Sequence, residues 1–477
     1  MVGPDFMKPA APDTVGYGKG PQPASTVATN VPGGASQRFV RDMDIPGQWW
    51  TLFHSQALDT LVDEGLKHNP SLEAAQASLR QAWENVYAQQ GFFYPTVTGS
   101  AGPSRNKTAT GALSPASASG NPYYTLITGQ ITVAYTPDVF GQNRRTVESL
   151  EAQAEFQRYQ LEATYLTLTS NVVAAAVQEA SLRAQIAATE QVVDIETQTV
   201  DIFRRQYSLG QIAEADVAAQ EAALAQAQAT LPPLRKALAQ QRDLLTALIG
   251  RLPSDEPQET FDLASLEIPQ DVPVSLPSKL VEQRPDVASA EAQLHSASAL
   301  IGVAVANQLP NITLSGNIGN AANDVDRLFS PGTGFWSIAA GLTQPVFDGG
   351  TLLHRKRAAV EGFNAAAAQY RSTVITAFQN VADSLRALQF DADTLKASVD
   401  AERAANTSLE IARRQLQLGA ISYLALLTTE QAYEQAILAR VQAQAGRYAD
   451  TAALFQALGG GWWNRADVAS AGTVPTP

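Results

Sequence analysis

The sequence contains no cysteine, so a disulfide framework, a thiolate metal site and a cysteine nucleophile are all excluded. It has only four histidines, whose spacing is not that of metal ligands, and we expect each to be a surface or capping residue. The acids and histidines form no set of nucleophile, base and orienting group, so we predict that the chain is not an enzyme and needs no cofactor. The four histidines are His54, His68, His295 and His354.

Positive charge is also scarce, since the formal net charge is −13. This balance argues against nucleic acid as a partner, because no basic patch is available to neutralise phosphates. No run of about 18 apolar residues occurs, which excludes a transmembrane helix. A transmembrane strand needs only about 9 to 11 residues of alternating character, so the sequence still allows strands in a membrane.

Two long stretches are almost free of helix-breaking residues. Residues 138–231 contain no proline and are rich in Ala, Gln, Glu and Leu, which favours helix. We predict a first helix over 142–207, which at 1.5 Å per residue would be on the order of 100 Å long. Gly210 then stands where a left-handed C-cap ends a helix, and Gly419 interrupts a second such stretch after Val346. The sequence therefore predicts two long helical hairpins.

The order of elements repeats along the chain. Pro70 and Pro285 are 215 residues apart, as are Pro95 and Pro310, whereas Gly210 and Gly419 are 209 apart. One register thus covers nearly the whole chain and indicates an internal two-fold duplication. We divide the chain into an N-terminal extended tail and equatorial segment (1–68), a first repeat (69–250), an irregular Pro- and acid-rich connector (251–283), a second repeat (284–459) and a C-terminal tail (460–477).

Each repeat also contains two predicted strands before its hairpin. In the first repeat they are joined by a loop expected from Pro103 to about Tyr123. In the segment 127–136, apolar side chains alternate with hydroxyl and amide side chains, which predicts a two-faced strand. We predict that the apolar positions face lipid; they are Ile127, Ile131, Val133, Tyr135, Ile312, Leu314, Trp336, Ile338 and Leu342.

Such strands suit an outer-membrane barrel, with the apolar face toward lipid and the polar face toward water. Unpaired backbone groups along a strand edge in hydrocarbon would each cost several kcal/mol, so the barrel must close. Four strands cannot close a barrel, and several copies of the chain must therefore share one. Alanine-rich helices that pack closely fit the same oligomer. The fold class predicted is mainly α, with long antiparallel hairpins and a small membrane β portion.

The sequence resembles the TolC-type outer-membrane factors, in particular the NodT-like efflux lipoprotein branch. The motifs that carry the resemblance span the chain in family order: Gly3-Pro4-Asp5-Phe6 with Pro9, Trp49-Trp50, Arg284-Pro285-Asp286-Val287, Gln344-Pro345-Val346-Phe347-Asp348-Gly349-Gly350, and Ala457-Leu458-Gly459-Gly460-Gly461-Trp462.

The resemblance implies a homotrimer in the bacterial outer membrane, with a shared twelve-stranded barrel and a helical α-barrel that extends into the periplasm. It implies docking to a periplasmic adaptor protein and to an inner-membrane pump, most often of the resistance-nodulation-division type. Family members of this branch carry a lipidated cysteine before the Gly-Pro-Asp segment. This sequence has none and shows no signal peptide, so we expect that Met1 is not the native start and infer the lipid anchor only for the native protein.

The resemblance also assigns roles near the hairpin turns. The turns would contact the adaptor through Arg205, Leu209, Gly210, Arg414, Leu418 and Gly419, although the two arginines also suit the C-terminal helix dipole. The tunnel would narrow where relatives present a leucine ring and an aspartate ring, at positions that match Leu424 and Thr428. Thr428 departs from that pattern, and Glu214 and Asp216 could supply an acidic ring instead, while equally explained by the helix dipole.

Three functions fit this reading. The leading one is a passive channel that exports small molecules, such as drugs or toxic compounds, within a tripartite pump. A protein-secretion conduit is an alternative that the sequence barely distinguishes, because the inner-membrane partner chooses the cargo. A trimeric structural rod or adhesin without a conducting lumen is a third, which two amphipathic strand pairs make less suitable.

Overall fold

The structure is a computed structural model that describes residues 1–14, 16–18, 23–107 and 123–466. Parts of the predicted N-terminal tail, of the loop ahead of Tyr123 and of the C-terminal tail lie outside the described residues. The helices are α1 (Gln56–His68), α2 (Pro70–Gln90), α3 (Gln142–Ser208), α4 (Glu214–Leu248), α5 (Pro277–Gln283), α6 (Pro285–Ala306), α7 (Thr351–Gln417) and α8 (Tyr423–Ala457). The strands are β1 (Arg38–Arg41), β2 (Thr96–Lys107), β3 (Tyr123–Tyr135), β4 (Asp271–Val274), β5 (Asn311–Ala322) and β6 (Gly334–Thr343).

The described elements fit the duplication in length as well as in order. The long helices α3 and α7 have 67 residues each, and α4 and α8 have 35 each. The strands β2 and β5 both have 12 residues. By contacts the chain divides into two compact units, one of Met1–Pro9, Ser78–Gln157 and Ala290–Tyr370, the other of the rest. Each unit takes segments from both predicted repeats.

Both hairpin turns end the long helix in the way that glycine allows. Gly210 and Gly419 have φ values of 71° and 72°, in the left-handed region that side chains with a Cβ rarely adopt. At the first turn the Gln211 amide donates to the Gln206 carbonyl at 2.9 Å, and at the second turn Ala420 donates to Gln415 at the same distance. This 6→1 bond is the Schellman motif, so both turns satisfy carbonyls at the helix end.

The helices α3 and α4 are here called the first hairpin. Ion pairs at increasing distance from the turn join the two helices. They are Arg204–Glu221, Glu190–Arg235 and Glu179–Arg242, each at 2.7 Å. Their spacing requires the two helices to run antiparallel. In the second hairpin, α7 and α8, Arg413 pairs with Glu430 at 3.4 Å, at the positions that the duplication makes equivalent to Arg204 and Glu221. The proline-free stretch identified in the sequence ends at residue 231, but the first hairpin extends further, because α4 continues through Pro232 and Pro233.

The first unit contains an antiparallel sheet with the strand order β2-β3-β5-β6. Its register pairs Ile131 with Ile318 and Ile318 with Trp336, and residues paired in this way share one face. Extended over the strands, the register puts all nine residues predicted to face lipid on the same face of the sheet. The other face carries rows of hydroxyl and amide side chains, such as Thr98, Thr132, Asn317 and Ser337.

The sequence interpretation was wrong about two irregular segments. Pro103 does not begin the predicted loop, because β2 continues to Lys107; within one copy of the chain β2 is an edge strand, where proline is tolerated. The connector predicted as irregular contains β4 and α5, and β4 pairs in parallel with β1. A four-residue strand with one neighbour leaves no period long enough to be recognised in the sequence.

A buried aromatic cluster in the second unit accounts for the Trp49-Trp50 motif. Both indoles are almost completely buried, and the Trp49 ring stacks on Phe455 of α8 with centroids 5.4 Å apart. Phe53 lies against Trp49 edge-on at 6.3 Å. Burial of three large aromatic side chains anchors the N-terminal segment to the last helix.

Candidate functional site

The two hairpin turns present exposed side chains of the types predicted to contact an adaptor. Leu209 and Leu418 are 71% and 77% exposed, and Arg205 and Arg414 are also exposed. The preceding arginine at each turn is instead held in the ion pair with Glu221 or Glu430. The two leucines occupy equivalent places in the two repeats, and both are exposed.

The positions predicted to narrow the tunnel lie just past the turns. Leu424 is 71% exposed, and the hydroxyl of Thr428, one turn later, donates to its carbonyl at 3.0 Å. Glu214 is exposed in the first turn of α4. The carboxylate of Asp216 accepts a hydrogen bond from the Ala213 amide at 3.2 Å and therefore caps the start of α4. Asp216 thus stabilises the start of α4, whether or not it also narrows the tunnel.

An aromatic contact fastens the first hairpin to the second beside the turns. The ring of Tyr423 meets the buried ring of Phe203 with centroids 3.9 Å apart, and its hydroxyl donates to Oε1 of Gln206 at 2.6 Å. Burial, and then the nearby Asp216 carboxylate, raise the pKa of Tyr423, so the hydroxyl keeps its proton. Sequence reasoning missed this contact, for which the signal was a tyrosine directly after the Ser422 N-cap.

Further from the turns, charged and amide side chains of all four long helices meet in the interior. Glu196 of α3 and Glu430 of α8 are only 5% and 7% exposed, and Gln220 of α4 is completely buried. Nε2 of Gln220 donates to Glu196, and Arg413 of α7 contacts Glu430. We name these four residues the carboxyl cluster. It was also missed, although Glu196 precedes Val200 and Phe203 by four and seven residues, in a stripe that is otherwise apolar.

A second acidic contact lies within the second hairpin, between α7 and α8. The carboxyl groups of Asp391 and Asp450 lie close together, and Arg447 is nearby. Burial, followed by the contact with Asp450, raises the pKa of Asp391 to about 7.

Among residues 1–14, 16–18, 23–107 and 123–466, no group of three or more His, Cys, Asp or Glu side chains could hold a metal ion. Within the same ranges no helix is both long enough and apolar enough to cross a membrane.

Long helical hairpins, together with a sheet that exposes an apolar face, define the class of outer-membrane channels. A family model described as outer membrane efflux protein matches residues 61–251 and 276–460, and the chain belongs to that family. The probable efflux pump outer membrane protein TtgC of Pseudomonas putida is 27% identical over 479 residues, covering 99% of this chain and 95% of TtgC.

Solved structures agree with this membership. The outer-membrane channel OprN is similar with a TM-score of 0.85 and 26% identity, over 97% of this chain and 99% of OprN. The Campylobacter jejuni CmeC outer membrane channel has a TM-score of 0.86, over 98% of this chain and 96% of CmeC, and at 23% identity that likeness shows the fold alone. The predicted family, fold class, efflux function and outer-membrane location are confirmed.

Proposed function

We propose that three copies of the chain assemble into the exit duct of a tripartite efflux pump. The duct conducts small molecules passively from the periplasm to the outside and performs no chemistry on them. The observation that carries this proposal is the sheet, whose four strands expose one apolar face and have β2 and β6 at their edges. In hydrocarbon those edges need partners. Pairing β6 of one copy with β2 of the next supplies them, and three copies give twelve strands.

A short apolar segment after β6 supports contact between copies. Val346 and Phe347 are 97% and 92% exposed. Two adjacent large apolar side chains in water are unfavourable by roughly 1.5 to 3 kcal/mol each relative to burial. We infer that a neighbouring copy of the chain, joined through β6, covers them.

The proposed partners contact the hairpin turns and the N-terminal segment of the chain. We infer that the exposed leucines and arginines of the hairpin turns bind a periplasmic adaptor, which links the duct to an inner-membrane pump of the resistance-nodulation-division type. Leu424, Thr428, Glu214 and Asp216 are proposed to narrow the duct near these turns. A lipid on a cysteine ahead of Gly3 is proposed to anchor the native protein to the outer membrane.

One matched pair of variants tests the membrane-facing assignment. Ile338→Arg lies on the apolar face of β6 and Ser337→Arg on the polar face, one residue away. An arginine facing lipid near the bilayer midplane costs about 2 to 4 kcal/mol, whereas one facing water costs little. We expect I338R to reduce the yield of folded, membrane-inserted trimer strongly, and S337R to retain the trimer. Equal yields of the two variants would contradict the proposal.

Planar-bilayer recordings separate the duct from a structural rod. The wild-type trimer should give discrete conductance steps, and S337R should shift their ion selectivity toward anions, because the new charge faces the lumen. A folded trimer that never conducts would favour the rod. Cells that lack the protein distinguish small-molecule export from protein secretion. We expect them to lose efflux of dyes or drugs and to secrete proteins as before.

A further inference from the structure

The carboxyl cluster brings two buried acids from different hairpins into direct contact. Glu196 belongs to α3 of the first hairpin and Glu430 to α8 of the second, and their buried carboxyl groups lie within hydrogen-bonding reach of each other. A hydrogen bond between two carboxyl groups requires a proton on one of them. Two carboxylates in contact and shielded from water could not both be charged without strong repulsion. One proton shared between the two carboxyl groups would relieve that repulsion and close the contact.

The surrounding groups do not replace that proton. Gln220 of α4 offers one amide donor to Glu196, while its own Oε1 is buried with no hydrogen-bond partner in the described structure. On Glu430, Arg413 of α7 contacts Oε1, and Oε2 is likewise buried without a partner. The cluster thus has more acceptor atoms than donors. A proton on the carboxyl pair supplies a donor at the point where the two hairpins meet.

Comparison of the repeats shows that this arrangement is particular to one place. The residue equivalent to Glu430 in the first hairpin is Glu221, which is exposed and forms an ordinary ion pair with Arg204. The residues equivalent to Glu196 and Gln220 in the second hairpin are Ala405 and Thr429. The duplication supplied the arginine and glutamate in both hairpins, whereas the buried acid pair forms where the first hairpin contacts the second.

We propose that Glu196 and Glu430 form a proton-held latch that keeps the first hairpin against the second, and that loss of the shared proton at alkaline pH releases it. The hairpin contact itself does not depend on the proposed duct. Its consequence for conduction does rest on that proposal, because hairpins that separate near the turns would widen the adaptor-facing end.

The electrostatics give the pH window. Burial, and then the contact with Glu430, raise the pKa of Glu196 to about 8 from an ordinary value of 4.5; Glu434 of α8 acts in the same direction and Arg413 opposes it. Separated hairpins would bind the proton only below about 4.5. The stabilisation by the latch is therefore complete at acidic pH. Above pH 4.5 the equilibrium constant for closing the latch falls by up to about tenfold per pH unit, and the stabilisation is lost as the pH passes about 8.

The absence of cysteine from the sequence makes a distance measurement clean. Spin labels at Ile202→Cys on α3 and Ile411→Cys on α7, both exposed positions, report the separation of the hairpins in lipid nanodiscs. Mixing one labelled copy with an excess of unlabelled copies removes distances between copies. We expect a longer-distance population that rises from pH 5 to pH 9.5, with its steepest change near pH 8.

Neutral variants make the assignment specific. In E430Q or E196Q a single amide replaces the carboxyl, so no like charges form and the short distance should persist across the whole range. E221Q, at the duplicated and exposed position, should respond to pH as the wild type does. Melting of the detergent-solubilised protein checks that each variant is folded, and two independent variants at the pair guard against failure of one.

Several results would overturn the latch. They are an unchanged distance distribution from pH 5 to 9.5 in the wild type, a retained response in both E196Q and E430Q, or a response that a chelator abolishes at constant pH, which would indicate a bound cation. Planar-bilayer conductance is recorded separately under the same conditions. A pH-dependent distance without conductance would support the latch and contradict the duct.

Discussion

The hydroxyl of Tyr423 donates a 2.6 Å hydrogen bond to the side-chain carbonyl of Gln206, so a residue of α8 holds the last turn of α3. The same tyrosine ring lies 3.9 Å from that of Phe203. Near the turns, then, the two hairpins are joined by one polar and one aromatic contact of a single side chain. The carboxyl cluster joins them again further along the helices.

Tyr423→Phe should weaken the junction of the hairpins without removing its packing. The ring contact with Phe203 is retained, and only the hydroxyl bond to Gln206 is lost, which is worth about 1 kcal/mol or roughly a fivefold change in an equilibrium constant. We expect a higher fraction of long interspin distances and a higher open probability in planar bilayers. Tyr207→Phe, at an exposed tyrosine of the same turn, is the control and should behave as the wild type. Identical behaviour of the two variants would exclude a role for the Tyr423 hydroxyl.

The glycines of the turns give a test in which the sign of the effect reverses. Gly210→Ala and Gly419→Ala force a side chain into the left-handed region, at a cost of about 1 to 2 kcal/mol, although no atom lies within 4 Å of the added Cβ. Gly362→Ala, inside α7 and also without neighbours within 4 Å, should stabilise by about 0.5 to 1 kcal/mol. Thermal melting compares the three. Stabilisation by G210A would show that the turn has another conformation.

The long helices were predictable because their signals are local. The helix expected over 142–207 is observed as Gln142–Ser208, since alanine-rich composition, the absence of proline and a capping glycine act within a few residues of each other. The side of each strand was likewise readable from alternation, and the register agrees with it. The end of β2 was not, because proline usually marks the end of a strand, and the place of β2 at the edge of this chain's sheet is not written locally.

The carboxyl cluster was out of reach for the opposite reason. Glu430 is far from Glu196 and Gln220 in the chain, and although Glu196 lies in an apolar stripe, nothing in the sequence shows which acid on another helix faces it. Their burial follows from how α3, α4 and α8 pack, which is a property of tertiary contact rather than of periodicity. The duplication even misleads here, because it makes Glu430 equivalent to the exposed Glu221.

The exposed leucines of the turns should matter for binding and not for folding. Leu209→Ser and Leu418→Ser remove apolar surface that is already in water, so the melting temperature should be unchanged. If the turns dock a periplasmic adaptor, each substitution should weaken that binding by roughly tenfold, as for an apolar anchor at an interface. Leu252→Ser, at a leucine that is 73% exposed beyond α4, is the control. The measurement is binding of the cognate adaptor to immobilised trimer; equal affinities for all three variants would place the docking surface elsewhere.

Asp391 gives a prediction about stability and pH within a single hairpin. Burial and the contact with Asp450 raise its pKa to about 7, above an ordinary value of 3.8. The folded protein therefore keeps the proton to higher pH than the unfolded chain, so the stabilisation is complete below about 3.8 and is lost as pH rises through about 7. Asp391→Asn should flatten the decline in melting temperature between pH 5 and pH 8, because an amide cannot ionise. Part of the decline should persist, since Glu196 titrates in the same window. Asp393→Asn, exposed on the same helix, should leave the decline as it is in the wild type. If D391N and D393N lost stability equally between the two pH values, the proton on Asp391 would have no part in holding α7 against α8.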